Sequence, residues 1–274
     1  MNYKILFSSV IVLSLSFFSC AKPKESIKPV IGDFSNTLTQ EEITNAKLTP
    51  ELLWKFGRVA DHQLSPDGKS ILYNVTRFDA ATNKSQAKIL KISTDGGEPT
   101  VLGEGGNMRW KPGNEIIGFI SSVGGSSQIW EMSADGSGKV QVTDIEGGIN
   151  GFEYAPDGKK FFFTRDVKME KTPQEIYPDL PLTNVRIIED LMYRHWNAWS
   201  DYSYSHIFVA SFNGTAVTGE KDIMEGQKFE SPTAPYFDEA EISWSPDGKY
   251  IAYTSKRLRG KEDAKSTNSD IYLY

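Results

Sequence analysis

The chain has 274 residues, with 36 Asp plus Glu against 30 Lys plus Arg, a net charge of −6 and one cysteine. At 39% hydrophobic and 24% charged residues it holds enough apolar material for a buried core, which excludes a disordered chain and a multi-span membrane protein. The acidic balance leaves no excess positive charge to follow a phosphate backbone, so nucleic acid is not an expected partner, and a single cysteine forms no internal disulfide.

Residues 1–20 open with Lys4, run through an apolar and Ser stretch from Ile5 to Ser19, and end at Cys20. The apolar run is too short for a comfortable span and is followed by small and polar residues, which reads as an export signal. The only cysteine closes it, with Ser19 before and Ala21 after, and the segment resembles a bacterial lipoprotein signal. That resemblance implies lipidation at Cys20 and a periplasmic or outer-membrane-anchored protein that meets the membrane only through its anchor. An ordinary cleaved signal with an incidental cysteine is the alternative. Residues 21–47 lack a period and are rich in polar residues and Pro, as a flexible tether would be. One short helix is expected next: Thr49 as N-cap, Pro50 at the first helical position, and Leu52, Leu53 and Phe56 forming an apolar face up to Gly57.

From there one phrase recurs four times: QLSPDGKSILYNVT, RWKPGNEIIGFIS, EYAPDGKKFFFTR and SWSPDGKYIAYTS. Its prolines, Pro66, Pro112, Pro156 and Pro246, stand at intervals of 46, 44 and 90 residues. The first two intervals match a propeller blade period of roughly 40–45 residues, and the third contains an insertion. Pro fixes φ and Asp-Gly supplies the turn, so each phrase reads as a hairpin. Second turn signals at Asp95-Gly96, Asp135-Gly136 and Asn213-Gly214 follow apolar strands at 88–93, 128–133 and 206–211. Four antiparallel strands per repeat make one blade, so the expected fold is all-β: a propeller over residues 48–274, with about three complete blades and part of a fourth. A β-sandwich with similar hairpins is the alternative, but a sandwich has no need to repeat one turn sequence at a fixed period. Three and a half blades do not close a ring, so the chain reads as the N-terminal part of something longer; its open strand edges invite pairing with another chain or a second copy.

The repeats resemble the propeller repeats of the prolyl oligopeptidase family of serine peptidases. The stretch LTPELLWKFGRVADHQLSPDGKSILYNVT is similar to the start of the folded region in members of the dipeptidyl peptidase V and acylaminoacyl peptidase type. The block Arg194-His195-Trp196 with Trp199, inside IIEDLMYRHWNAWSDYSYSHIFVAS, is the more specific match; Asn197 stands where Asp is common. The resemblance implies a propeller set over a C-terminal α/β-hydrolase domain with Ser, Asp and His in chain order, and an enzyme that releases dipeptides or acylated residues from short peptides.

No G-x-S-x-G occurs in the 274 residues, and the three histidines, His62, His195 and His206, pair with no visible nucleophile and acid, so no catalytic residue is assigned and the chain alone is expected to be inactive. No cofactor is implied, and no metal-ligand spacing is present. Within such a peptidase the insertion at about 166–200 is the best candidate for contacting a peptide substrate, because loops added to a rigid scaffold carry function. Glu189 and Asp190 suit a free α-amino group, Arg194 a carbonyl or carboxylate, and Trp196 and Trp199 an apolar subsite beside His195. The competing reading is structural: Tyr193, Trp196, Trp199, Tyr202 and Tyr204 pack the insertion onto its blade with His195 inside. At the level of the whole protein, the alternative is a non-catalytic periplasmic propeller that binds a protein or peptide, as TolB-like proteins do.

Overall fold

The computed structural model describes residues 34, 36–113, 115–122, 125–191, 193–213 and 217–274. The signal segment, Cys20 and most of the expected tether lie outside these residues. Two short helices come first, α1 (Gln40–Asn45) and α2 (Pro50–Lys55). The second is the expected one, with the Thr49 side chain accepting from the Leu52 N–H. The first adds order to the tether: Thr39 and Glu42 form a reciprocal capping box, a signal that a six-residue helix with no apolar face does not advertise by periodicity. The apolar face expected on α2 is not buried, for Leu53 and Phe56 are both exposed.

Four antiparallel sheets follow in chain order. Blade 1 is β1 (Arg58–Leu64), β2 (Ser70–Asp79), β3 (Lys84–Ser93) and β4 (Thr100–Glu104). Blade 2 is β5 (Gly106–Trp110), β6 (Ile116–Ser121), β7 (Gln128–Ser133) and β8 (Val140–Gln141). Blade 3 starts with β9 (Gly151–Tyr154) and β10 (Lys160–Lys168). The insertion comes next, carrying α3 (Pro173–Ile176) and a small hairpin of β11 (Arg194–His195) and β12 (Ala198–Trp199). The blade is completed by β13 (Ser203–Phe212) and β14 (Val217–Asp222). Blade 4 contains β15 (Ile242–Trp244), β16 (Ile251–Ser255) and β17 (Asp270–Leu273), with helix α4 (Gly260–Lys265) in the connection between β16 and β17.

The recurring phrase forms the first hairpin of each blade. In blade 1 the Gly68 N–H donates to the Ser65 carbonyl at 2.9 Å, and in blade 4 Gly248 donates to Ser245 at 2.8 Å. Pro pre-sets the second turn position, and the glycine takes a positive φ, +72° at Gly68 and +67° at Gly248. The Asp of the phrase accepts from the preceding serine hydroxyl, Ser65 to Asp67 at 2.6 Å and Ser245 to Asp247 at 2.7 Å. These bonds to the charged form hold both carboxyls below the usual aspartate range.

Packing occurs between blades. Leu72, Ile89, Met108, Ile117 and Met132 fill the space between blades 1 and 2. Phe161 and Phe163 join Ile129, Phe152 and Phe208 between blades 2 and 3, while Phe162 joins Ile207, Ile242 and Ile251 between blades 3 and 4. The unbroken Phe161-Phe162-Phe163 run thus serves both faces of one sheet, because successive strand side chains point to opposite sides. Each fully buried Phe contributes roughly 1.5–3 kcal/mol by removal from water.

Because the hairpin turns alternate ends, the repeated Pro-Asp-Gly turns lie at one end of the blades. The β10–β13 insertion, the β16–β17 connection and the links between blades lie at the other.

Candidate functional site

The insertion is tied at its base and open at its tip. The N–H groups of Met169 and Glu170 both donate to the Tyr202 carbonyl, at 3.0 and 3.2 Å. The Tyr204 hydroxyl and the Lys228 ammonium both reach the Glu170 carboxylate at 3.2 Å. At the tip, Arg194 pairs with Trp199 and His195 with Ala198 across β11 and β12, and the turn places Trp196 at φ +48°. The Trp199 ring stacks on Tyr193 with centroids 6.0 Å apart. The guanidinium groups of Arg186 and Arg194 lie 4.9 and 5.1 Å from that ring, within the range of a cation–π contact. Trp196 meets His195 and Tyr236 edge-on at 5.0 and 5.9 Å, yet remains 69% exposed.

The hairpin therefore brings together Arg194, His195, Trp196 and Trp199. Glu189 and Asp190 sit on the irregular segment before it; Asp190 accepts the Leu191 N–H at 2.9 Å, and its carboxylate lies over Gly260 of blade 4. The aromatic cluster is divided: Tyr202 and Tyr204 are partly buried at the base, whereas Tyr193, Trp196 and Trp199 stay exposed. The fully buried imidazole of blade 3 is His206, with Nδ1 2.8 Å from an Asp222 carboxylate oxygen and Nε2 2.8 Å from the Gln227 carbonyl.

A cavity of about 470 Å³ lies along the first strands of the blades, lined among others by Asp61, Gln63, Arg109, Trp110, Glu153 and Glu239. Gln63, Arg109 and Glu153 each stand three residues before the proline of their repeat, so one repeat position supplies three blades' contributions. Arg109 pairs with Asp61 at 3.1 Å, and the other Asp61 oxygen accepts the Met108 N–H at 2.6 Å. Burial raises the carboxyls of Glu153 and Glu239, and the Arg109 charge partly offsets this in both. Gly151 leaves the room that the Glu239 carboxylate occupies; a Cβ there would meet it at 1.8 Å. The sequence reading missed this cavity, although the equivalent repeat positions were the available signal.

Comparison with known proteins fits this architecture. No protein-family model matches the chain. Dipeptidyl-peptidase 5 of Porphyromonas gingivalis is 41% identical over 249 residues, 89% of this chain and 36% of that protein. The dipeptidyl-peptidase 5 of Porphyromonas endodontalis is 37% identical over 240 residues, 86% and 35% of the two chains. The chain thus spans about a third of the length of these relatives. Among solved structures, an acylaminoacyl peptidase bound to Z-Gly-Gly-Phe-chloromethyl ketone superposes with a TM-score of 0.57 at 16% identity, covering 81% of this chain and 32% of that one. The acylaminoacyl peptidase of Pyrococcus horikoshii gives 0.56 at 16% identity, covering 81% and 31%. The chain is a β-propeller of the architecture found in acylaminoacyl peptidases. Over most of its length it is homologous to dipeptidyl-peptidase 5, as the repeats and the Arg194-His195-Trp196 block led us to expect.

Proposed function

We propose that this chain is the N-terminal, substrate-gating propeller portion of an exported serine exopeptidase of the prolyl oligopeptidase family, one that releases dipeptides or acylated residues from short peptides. The observation that supports this reading is the 41% identity with a dipeptidyl-peptidase 5 across 249 residues. Hydrolysis falls to a Ser-Asp-His hydrolase domain, since the 274 residues contain no nucleophile elbow. The propeller restricts entry, and the exposed Arg194, Trp196 and Trp199 of the insertion contact the peptide.

The test is to translate the locus beyond the Tyr274 codon, express the whole product, and assay it on chromogenic dipeptide anilides. The whole product releases dipeptides while residues 1–274 alone do not, and R194A and W199A each raise KM roughly tenfold, a loss of about 1.4 kcal/mol. A whole product without peptidase activity sinks the proposal, and unchanged KM in both variants removes the insertion from substrate contact. Anchoring through Cys20 predicts incorporation of labelled fatty acid that C20S abolishes; labelling that survives C20S refutes it.

A further inference from the structure

We propose that Asp190 is a positioning residue: its carboxylate, seated over Gly260 in the β16–β17 connection, holds the tip of the blade 3 insertion where Arg194 and Trp199 meet a peptide. The inference deepens the proposed function and rests on it for what the tip meets; the seat itself rests on the geometry of blades 3 and 4. The insertion leaves blade 3 through a fixed base, where the Met169 and Glu170 N–H groups donate to the Tyr202 carbonyl and the Glu170 carboxylate receives Tyr204 and Lys228. Beyond that base its hydrogen bonds turn inward: the Gln174 amide donates to the Thr183 carbonyl, the Ser200 N–H to the Tyr193 carbonyl at 3.0 Å, and the Arg186 guanidinium to the Ser200 carbonyl at 3.4 Å. These bonds shape the insertion without fixing its tip on the propeller.

Two contacts carry the tip across to the segments that build blade 4. Trp196 meets Tyr236 edge-on at 5.9 Å, but the two rings are 69% and 77% exposed, so little surface leaves water there. Asp190 makes the closer contact. Both of its carboxylate oxygens lie 2.6 Å, and its Cγ 2.9 Å, from the point where a Cβ on Gly260 would stand. Gly260 is buried at φ +56°, so the carboxylate occupies a notch that exists because this residue has no side chain. Backbone conformation alone does not demand glycine there, for Ala46 and Trp196 take φ +51° and +48° in the same chain.

Both sides of the seat are braced. The Lys256 ammonium reaches the Asp263 carboxylate and the Asp263 carbonyl, each at 2.7 Å, and pins α4 to the end of β16. On the insertion side the Asp190 Oδ1 accepts the Leu191 N–H at 2.9 Å, which fixes the orientation of the carboxylate. Among the described residues Asp190 forms no ion pair, so shape rather than charge makes the seat. Arg194 follows four residues later and is paired in register with Trp199 across β11 and β12, so a shift at Asp190 displaces both side chains together. A misplacement of about 1 Å in a group that orients substrate is enough to weaken its action. Asp190 thus acts through Arg194 and Trp199.

Variants of the whole product of the locus test this, with kinetics on dipeptide anilides and trypsin cleavage as separate readouts. D190A, and G260A, whose Cβ would meet the carboxylate, each raise KM roughly three- to tenfold with kcat unchanged, because the displaced side chains bind ground state and transition state alike. D190N fits the same notch and stays within about twofold of the parent KM. The pair D190C/G260C restores the seat covalently. The Asp190 Cβ lies one bond of about 1.5 Å beyond its Cγ, so the two Cβ atoms stand at most about 4.4 Å apart, within reach of a disulfide. Built in a C20S background and confirmed by peptide mapping, the oxidised pair returns KM to within about twofold of the parent, and reduction raises it again as in D190A. A side chain that bound the substrate itself would not be replaced by that bond. Trypsin reads the seat without catalysis: D190A speeds cleavage after Arg186 and Arg194 about fivefold or more, and the disulfide suppresses the gain. That readout stands even if the whole product proves inactive, so failure of the peptidase reading is separable. The proposal is overturned if D190A leaves the cleavage rate or, in an active product, KM unchanged, if D190N is as impaired as D190A, if the disulfide does not form, or if it forms without restoring the parent's behaviour.

Discussion

Glu131 on β7 offers the sharpest test of how blades 2 and 3 are held together. Its carboxylate receives the Lys111 ammonium at 2.8 Å and the Tyr154 hydroxyl at 2.7 Å, and the two charged side chains are only 7% and 13% exposed. Glu131→Leu leaves the Lys111 ammonium without a counter-charge, which costs about 3–5 kcal/mol for a buried pair broken on one side. Loss of the hydroxyl's acceptor adds about 1–3 kcal/mol. The Tyr154 and Phe212 rings, 5.5 and 5.3 Å from the Lys111 Nζ, return about 0.5–2 kcal/mol by holding the cation. The expected net loss is therefore about 2–7 kcal/mol. In the double variant K111M/E131L no charge is stranded, so it should be less destabilised than the sum of its parts by at least about 2 kcal/mol. Urea unfolding followed by tryptophan fluorescence measures all three. A loss below about 1 kcal/mol for E131L, or additivity within about 0.5 kcal/mol, would refute the reasoning.

Three further outcomes follow from the same geometry. Gly118→Ala would put a Cβ 2.4 Å from the Tyr154 hydroxyl and 2.8 Å from its ring, so a loss of about 1–3 kcal/mol is expected, only partly relieved by Y154F; an unchanged melting temperature would contradict that packing. His206→Leu strands the Asp222 carboxylate and the Gln227 carbonyl, and thermal unfolding should register about 3 kcal/mol or more; a shift within about 0.5 kcal/mol would show that the imidazole is not holding that corner. The Glu230 carboxyl rises from 4.5 to about 7 on folding, so the folded chain binds the extra proton between those values. Its contribution to stability is present below the unfolded value and is lost as pH rises through the folded one. E230Q should thus be more stable than the parent by on the order of 2–3 kcal/mol at about pH 8 and nearly equal to it at about pH 4. Parallel stability profiles for the two chains across that range would rule this out.

The blades were legible because their determinants are local. The Pro-Asp-Gly turn, its positive-φ glycine and the alternation of the strand beside it lie within about a dozen residues, and repetition at 46 and 44 residues states the architecture outright. The sequence also exposed the insertion, because 90 residues separate two prolines where one blade would need about half as many. It did not reveal how that insertion divides: Tyr204 is anchored on Glu170 while Trp196 faces solvent, and both look alike as aromatics in a polar stretch.

Side-chain convergence was decided by tertiary structure alone. Lys111, Glu131 and Tyr154 come from separate strands or turns of two blades, and Asp166, Asp201, Glu230 and Asp263 come from four segments of blades 3 and 4. Nothing in their spacing distinguishes these five carboxylates from the other 31 Asp and Glu residues. What separates Glu131 is the low-dielectric junction between packed sheets, where desolvation makes its charge depend on Lys111 and Tyr154, and that junction exists only once blade stands against blade.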